Sequence, residues 1–170
     1  MIELTIPTAD GMERLGARFA ALLRAGDLLV LDGPLGAGKT TFTLGLGAAL
    51  GARGPITSPT FVLAREHPTA GGTPLIHVDA YRLESGREVD DLDLDFDRAI
   101  VVVEWGAGKL DGVADSWVEV RIDRPAGAGA DAEGAGDDVD EPRRVRITGV
   151  GTRWAGLDDD LRDAGRPQHL

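Results

Sequence analysis

Residues 33–40 read GPLGAGKT, and each fixed position of this G-x-x-x-x-G-K-[ST] spacing has a chemical use. Glycines let backbone N–H groups turn inward around phosphate oxygens, while a helix starting near Lys39 points its positive dipole end at the same charge. Lys39 can reach the β and γ phosphates of a nucleotide. Thr40 offers a hydroxyl to a hydrated Mg²⁺, a hard ion that completes its octahedron with phosphate and water. The candidate contacts of ATP are therefore Gly33, Leu35, Gly36, Ala37, Gly38, Lys39, Thr40 and Thr41. A plain glycine turn before a helix would need neither Lys nor Thr at those two positions.

A metal at Thr40 calls for a carboxylate, and two aliphatic runs end in one: LIHVD at 75–79 and AIVVVE at 99–104. Ligands of α/β sheets collect at the carboxyl ends of the strands, so Asp79 and Glu104 are candidates, each set against a simple solvated strand end. Glu104 follows four β-branched residues, Ile100 to Val103, as the acid of a Walker B strand does. The expectation gives Glu104 the metal together with Thr40, directly or through water. Asp79 then contacts Mg²⁺-bound water or orients the attacking water, and Lys39, Asp79 and Glu104 form the catalytic set. Asp32, just before the glycine loop, reads as a structural turn residue.

In TSPTFV at 57–62, Pro59 fixes its own φ and discourages helix at Ser58, so an extended hydroxyl-bearing loop is expected. Ser58 and Thr60 are candidates for sensing the γ-phosphate, water or Mg²⁺, and an ordinary hydroxyl turn explains them equally well. His77 alternates with Ile76 and Val78 and reads as a hydrogen-bonded core histidine rather than a metal ligand. Trp105 either covers the site or packs, whereas Trp117 and Trp154 read as packing.

These groups need elements to hold them. IELTI (2–6) reads as a strand, followed by Thr8 as N-cap of a helix running to about Ala25, with Met12, Leu15, Phe19, Leu22 and Leu23 on one face. LLVLD (28–32), the glycine loop and KTTFTLGLGAAL, stopped at Gly51, give the strand–loop–helix order of a parallel βα unit. WVEVRID (117–123) and RRVRITGV (143–150) alternate apolar and polar residues as a hairpin does. Between them, residues 125–142 hold six acids, no base, four Gly and five Ala, a composition expected to form a disordered loop. A long hairpin tip adds only a slowly growing closure entropy. The expected fold is α/β and P-loop NTPase-like: a mainly parallel central sheet flanked by helices, with a C-terminal β-hairpin. One domain would cover 1–150, and a helix near Trp154 to Asp163 with a tail would fill 151–170.

At 170 residues the chain can bury roughly 70% of its unfolded surface and needs no staple. It has no cysteine, which excludes thiol nucleophiles and thiolate zinc sites and leaves His67, His77 and His169 with carboxylates for acid–base or metal work. A net charge of −11 argues against a broad nucleic-acid footprint, although the six acids of 125–142 leave only −5 on the rest. MIELTIPTADGMER has no basic, apolar leader, and no 18-residue apolar run occurs, so a cytoplasmic location away from membranes is expected.

Four blocks in order, GPLGAGKTTF (33–42), SPTFVL (58–63), HVDAYRL (77–83) and VEW (103–105), resemble the TsaE (YjeE) family of bacterial tRNA threonylcarbamoyladenosine synthesis across roughly residues 1–123. The first block alone says only P-loop NTPase, whereas the later three are far more specific. The resemblance implies an ATPase subunit that binds TsaB and TsaD, meets tRNA only through that complex, and resets it by hydrolysis after TsaD modifies ANN-decoding tRNAs. It also implies Mg²⁺ on Thr40 and Glu104, and an active-site role for Asp79; Tyr81 and Arg82 match as well. Ala80 stands where the family often has a bulkier aliphatic residue, Gly106 where it often has proline, and the acidic insertion where it has a shorter connection.

Other readings stay open. Gly108, Lys109, Leu110 and Asp111 approximate the guanine motif N-K-x-D with glycine for asparagine, so a GTPase is one alternative. A small-molecule kinase would need an arginine-rich lid, and the segment after Glu104 offers none. A nucleotide-gated adaptor, in which binding rather than hydrolysis does the work, is the non-enzymatic alternative.

Overall fold

The aliphatic runs become neighbours in one seven-stranded sheet. The computed structural model describes residues 1–57, 63–83, 88, 95–110, 113–124 and 141–164. Its strands are β1 (Ile2–Ile6), β2 (Leu28–Asp32), β3 (Ala64–His67), β4 (Leu75–Asp79), β5 (Ile100–Glu104), β6 (Trp117–Asp123) and β7 (Arg143–Val150), and its helices α1 (Ala9–Phe19), α2 (Lys39–Leu50) and α3 (Leu157–Asp163). The spatial order is β1-β7-β6-β2-β5-β4-β3. Strands β6, β2, β5 and β4 are mutually parallel; β7 and β3 run antiparallel beside them, and β1 closes the β7 edge. The fold is the α/β, mainly parallel arrangement expected, with β6 and β7 paired as the hairpin.

Parallel strands covered on both faces must be apolar throughout, and β2, β4 and β5 are almost wholly buried. One face meets α1, α2 and α3 through Met12, Leu15, Phe19, Phe42, Leu46, Leu157 and Leu161. The other carries Val30, Val78, Val101 and Val103, packed by Leu83, Leu110 and partly buried Trp117 from the connections. The α1–α2 contact depends on absent side chains. A Cβ on Gly16 would lie 2.0 Å from the Phe42 carbonyl oxygen, and one on Gly45 1.9 Å from that of Glu13.

Thr8 caps α1, its hydroxyl accepting from the Gly11 N–H at 3.0 Å. The helix ends at Phe19, earlier than the expected Ala25: the next N–H groups turn to carbonyls three residues back, Ala20 to Ala17, Ala21 to Arg18 and Leu22 to Phe19, and the Arg24 N–H then donates to Asp27 Oδ2 at 2.9 Å. Arg153 grips the same turn through Asp27 and the Leu22 carbonyl. Gly51 stops α2 as expected, in the left-handed conformation at φ 66°. Strand β3, which no apolar pattern announced, is a short edge strand paired to β4. The C-terminal helix begins at Leu157, three residues later than expected, after a 3₁₀ turn over Thr152–Trp154. Ser58, Thr60, Asp111, His169, residues 125–140 of the acidic loop and the tail from 165 lie outside the described residues. No helix among the described residues is long and apolar enough to cross a membrane.

Candidate functional site

The glycine loop runs from the end of β2 to the start of α2, and three of its glycines are needed as glycine. Gly33, Gly36 and Gly38 have φ of 142°, 72° and 113°, conformations closed to most side chains. Gly33 is further constrained by space: a Cβ there would meet the Ile122 carbonyl oxygen at 2.1 Å. Ala37 is buried beneath the loop and Leu35 is 86% exposed at its tip. Gly38 provides no side chain to cap α2, so the N–H groups of Lys39, Thr40 and Thr41 in the first turn are left to an external acceptor. That is a fitting donor set for phosphate oxygens.

Lys39 is nearly buried, its ammonium donating to the carbonyls of Gly33 at 2.7 Å and Pro34 at 3.0 Å. Burial pushes the ammonium below its ordinary range, while the negative charges of Glu104, Asp32 and Asp79 pull it back up. The indole of Trp105 lies 3.7 Å from the same nitrogen, a cation–π contact, and Tyr81 meets that indole edge-on. Trp105 is thus part of the site rather than remote packing. It has φ of 62°, a left-handed conformation costing a non-glycine residue about 1–2 kcal/mol, and its N–H is fixed on the Leu31 carbonyl.

The two acids sit side by side. In the parallel register of β4 and β5, Asp79 is opposite Glu104, so both carboxylates reach the face that α2 covers. Glu104 is 2% exposed, and its Oε1 accepts from the Thr40 hydroxyl at 3.1 Å and from His77 Nε2 at 2.8 Å. Asp79 is also buried, and its Oδ1 accepts the Tyr81 N–H at 2.9 Å, an Asx turn that fixes the carboxylate at the strand end. Asp32 ends β2 and faces Arg121 at 3.6 Å. Lys109 donates to the Ala80 carbonyl at 2.6 Å, which ties the segment after β5 to the segment after β4. Ala80 is fully buried, and a Cβ on Gly106 would approach Val103, Leu110 and Val30 within 3.0–3.2 Å, so both small residues match tight surroundings.

Lys39, Thr40, Asp79 and Glu104 are therefore brought together with the glycine loop. Among the described residues no three His, Cys, Asp or Glu side chains form a metal cage. A cation beside Thr40 and Glu104 would draw most of its oxygens from phosphate and water, as Mg²⁺ does. His77 is the hydrogen-bonded core histidine expected, with Glu104 as the partner the sequence did not name, and of the two readings open for Trp105 it is the one over the site that holds. The signal for His77 was its spacing of two from Asp79, which places both on one face of β4.

Comparison with known proteins gives the chain its relatives. The family model described as "Threonylcarbamoyl adenosine biosynthesis protein TsaE" matches residues 6–129. A tRNA threonylcarbamoyladenosine biosynthesis protein TsaE from Streptomyces coelicolor is 54% identical over 151 residues, covering 86% of this chain and 96% of that protein. The protein of the same name from Bacillus subtilis is 37% identical, covering 84% of this chain and 82% of its own length. The crystal structure of Bacillus subtilis YdiB superposes with a TM-score of 0.74 at 26% identity, covering 97% of this chain and 96% of that one. On the family match, supported by relatives that align along most of its length, this chain belongs to the TsaE family.

Proposed function

We propose that the chain is a Mg²⁺-dependent ATPase that serves a TsaB–TsaD complex in threonylcarbamoyladenosine modification of ANN-decoding tRNAs, touching tRNA only through that complex. The observation that carries the ATPase reading is the convergence of Lys39, Thr40 and Glu104 at the uncapped start of α2. Backbone N–H groups from Gly36 to Thr41 cradle the β and γ phosphates. Lys39 exchanges its loop carbonyls for phosphate oxygens, an exchange helped by the cost of its burial. Mg²⁺, when bound, neutralises charge on the transferring phosphoryl group. Thr40 and Glu104 hold it: the hydroxyl keeps a lone pair for the metal while donating its proton to Glu104. Asp79, fixed by its Asx turn, orients the attacking water.

Adenine is favoured over guanine because Gly108 stands where the guanine motif carries its asparagine amide. The test is ATP turnover with Mg²⁺ for the protein alone and with its cognate TsaB, TsaD and tRNA. Stimulation by the partners that vanishes in Lys39→Ala supports the reading, and fast turnover indifferent to partners overturns it. An Asp79→Asn chain that binds ATP and sustains repeated rounds of tRNA modification without hydrolysis would instead establish the nucleotide-gated adaptor.

A further inference from the structure

We propose that His77 is a positioning residue for Glu104, holding the carboxylate in the orientation in which it meets a divalent cation. The inference rests on the assignment of Glu104 to Mg²⁺ and asks what fixes that side chain. Glu104 is almost completely buried, and an isolated carboxylate in such surroundings is costly unless donors surround it. Two donors are in place, and both go to one oxygen. The Thr40 hydroxyl comes from α2, and His77 Nε2 comes from the middle of β4, 2.8 Å away.

The two donors are unlike in rigidity. Thr40 stands in the first turn of α2, beside the phosphate-binding loop, and its hydroxyl is also the group expected to turn toward a metal. His77 is fully buried on a central strand, and it has no other bonding partner among the described residues. A donor on a central strand holds its acceptor independently of what the Thr40 hydroxyl meets at the nucleotide site.

The chemistry of the contact also fixes the ring's tautomer. A carboxylate accepts, so Nε2 must carry the proton that donates to Oε1. Nδ1 is buried with no hydrogen-bond partner among the described residues. An unpaired lone pair is tolerated in such a place more readily than an unpaired N–H. The proton thus belongs on Nε2, and the ring is turned with its donor toward Glu104. A histidine conserving only core volume would gain nothing from this orientation, since Leu75 fills the same face of β4 two residues earlier with hydrocarbon.

Two measurements on the full-length protein test this. The first is the nitrogen NMR spectrum of the His77 imidazole in the unmodified chain; the expected result is a proton on Nε2 and none on Nδ1, and the opposite tautomer overturns the proposal. The second titrates Mg²⁺ into ATP-containing protein by calorimetry for the unmodified chain, His77→Gln, His77→Leu and Glu104→Gln. His77→Gln keeps an amide donor near the Nε2 position, whereas His77→Leu has none. The expected result is a 10- to 100-fold higher half-saturating Mg²⁺ concentration in His77→Leu, with ATP affinity in EDTA unchanged and most of the loss recovered in His77→Gln. Equal Mg²⁺ affinity in His77→Leu and the unmodified chain overturns the proposal, as does a His77→Gln chain no better than His77→Leu. If Glu104→Gln itself leaves Mg²⁺ affinity unchanged, the assignment of the metal to Glu104 fails first, and the positioning role fails with it. Should His77→Leu not fold, the tautomer and His77→Gln still decide.

Discussion

The two halves of the sheet use the same kinds of charged group to opposite ends. On the β2–β5–β4 side, Lys39, His77, Asp79 and Glu104 are all buried, and their contacts converge on a few atoms at the strand ends. On the β6–β7 side, Arg121, Asp123 and Arg146 form pairs of ordinary length whose members are 28–49% exposed. Coulomb attraction is several-fold stronger away from water, yet burial costs each ion its hydration, so the buried groups are strained toward any partner that can complete their shells. The exposed pairs are already satisfied by solvent and contribute little. On the proposed function, the buried charge at the strand ends is what a nucleotide and its cation would complete. Where charge is paired at the surface, it only decorates a hairpin.

Lys39→Ala should break this contrast most completely. It removes the cation around which Glu104, Asp32 and Asp79 are arranged, and partner-stimulated ATP turnover should fall by about 10²–10³-fold, the size of effect seen when one charge-stabilising donor is lost. Retained turnover in a steady-state phosphate-release assay would remove Lys39 from the catalytic set. Glu104→Gln should follow, with kcat reduced on the order of 10²-fold and a thermal midpoint close to that of the unmodified chain, because the amide keeps the volume and an oxygen acceptor for His77 and Thr40. Unchanged turnover would show that Glu104 does not serve the metal.

Gly33 lies at the seam between the halves, where β2 leaves the sheet beside the end of β6. Gly33→Ala brings a methyl group within 2.1 Å of the Ile122 carbonyl oxygen and forces a φ of 142° on an L side chain. Overpacking of this kind costs about 1–3 kcal/mol, which lowers the melting midpoint of a chain of this size by roughly 2–12 °C. Calorimetry should record that shift together with weaker ATP binding, since the carbonyl of Gly33 itself receives the Lys39 ammonium. A Gly33→Ala chain that melts and binds like the original would show that the loop has room to move away from β6.

Much of this was legible because local rules acted alone. The glycine loop, its flanking strand and helix, and the Gly51 stop are each set by residues adjacent in sequence. Asp79 and Glu104 could be singled out because aliphatic runs end at them, and their adjacency followed once β4 and β5 paired in register. The misses share a different cause. Strand β3, AREH, has no apolar alternation; β4 recruits it by edge pairing. Helix α1 gives way early to a tight turn that Asp27 and Arg153, remote from each other in sequence, hold together. His77 and Glu104 are 27 residues apart, and no period within either strand states which strand will lie beside it. Trp105, left open between covering the site and packing, reaches Lys39 from a left-handed backbone conformation that no local pattern announces.

The smallest effect belongs to the exposed half, and its pH dependence sharpens the contrast. The Arg146 guanidinium, donating to Asp123 at 2.7 Å, holds the Asp123 carboxyl below its ordinary value of 3.8, with Arg121 assisting and partial burial opposing. A carboxyl with a depressed folded-state pKa binds fewer protons when folded than when unfolded, so stability rises with pH across that interval. The contribution is fully present above the unfolded value and is lost as pH falls through the lower folded value. Asp123→Asn should therefore lower the melting midpoint near neutral pH by only about 1–2 °C, with the difference from the unmodified chain shrinking as pH drops below 3.8. Raising the salt concentration at neutral pH should shrink it too, because both partners stand in solvent within reach of screening ions. A large, salt-insensitive loss would mean that the β6–β7 pair is buried in function if not in area, and the two halves of the sheet would then differ less than their exposures suggest.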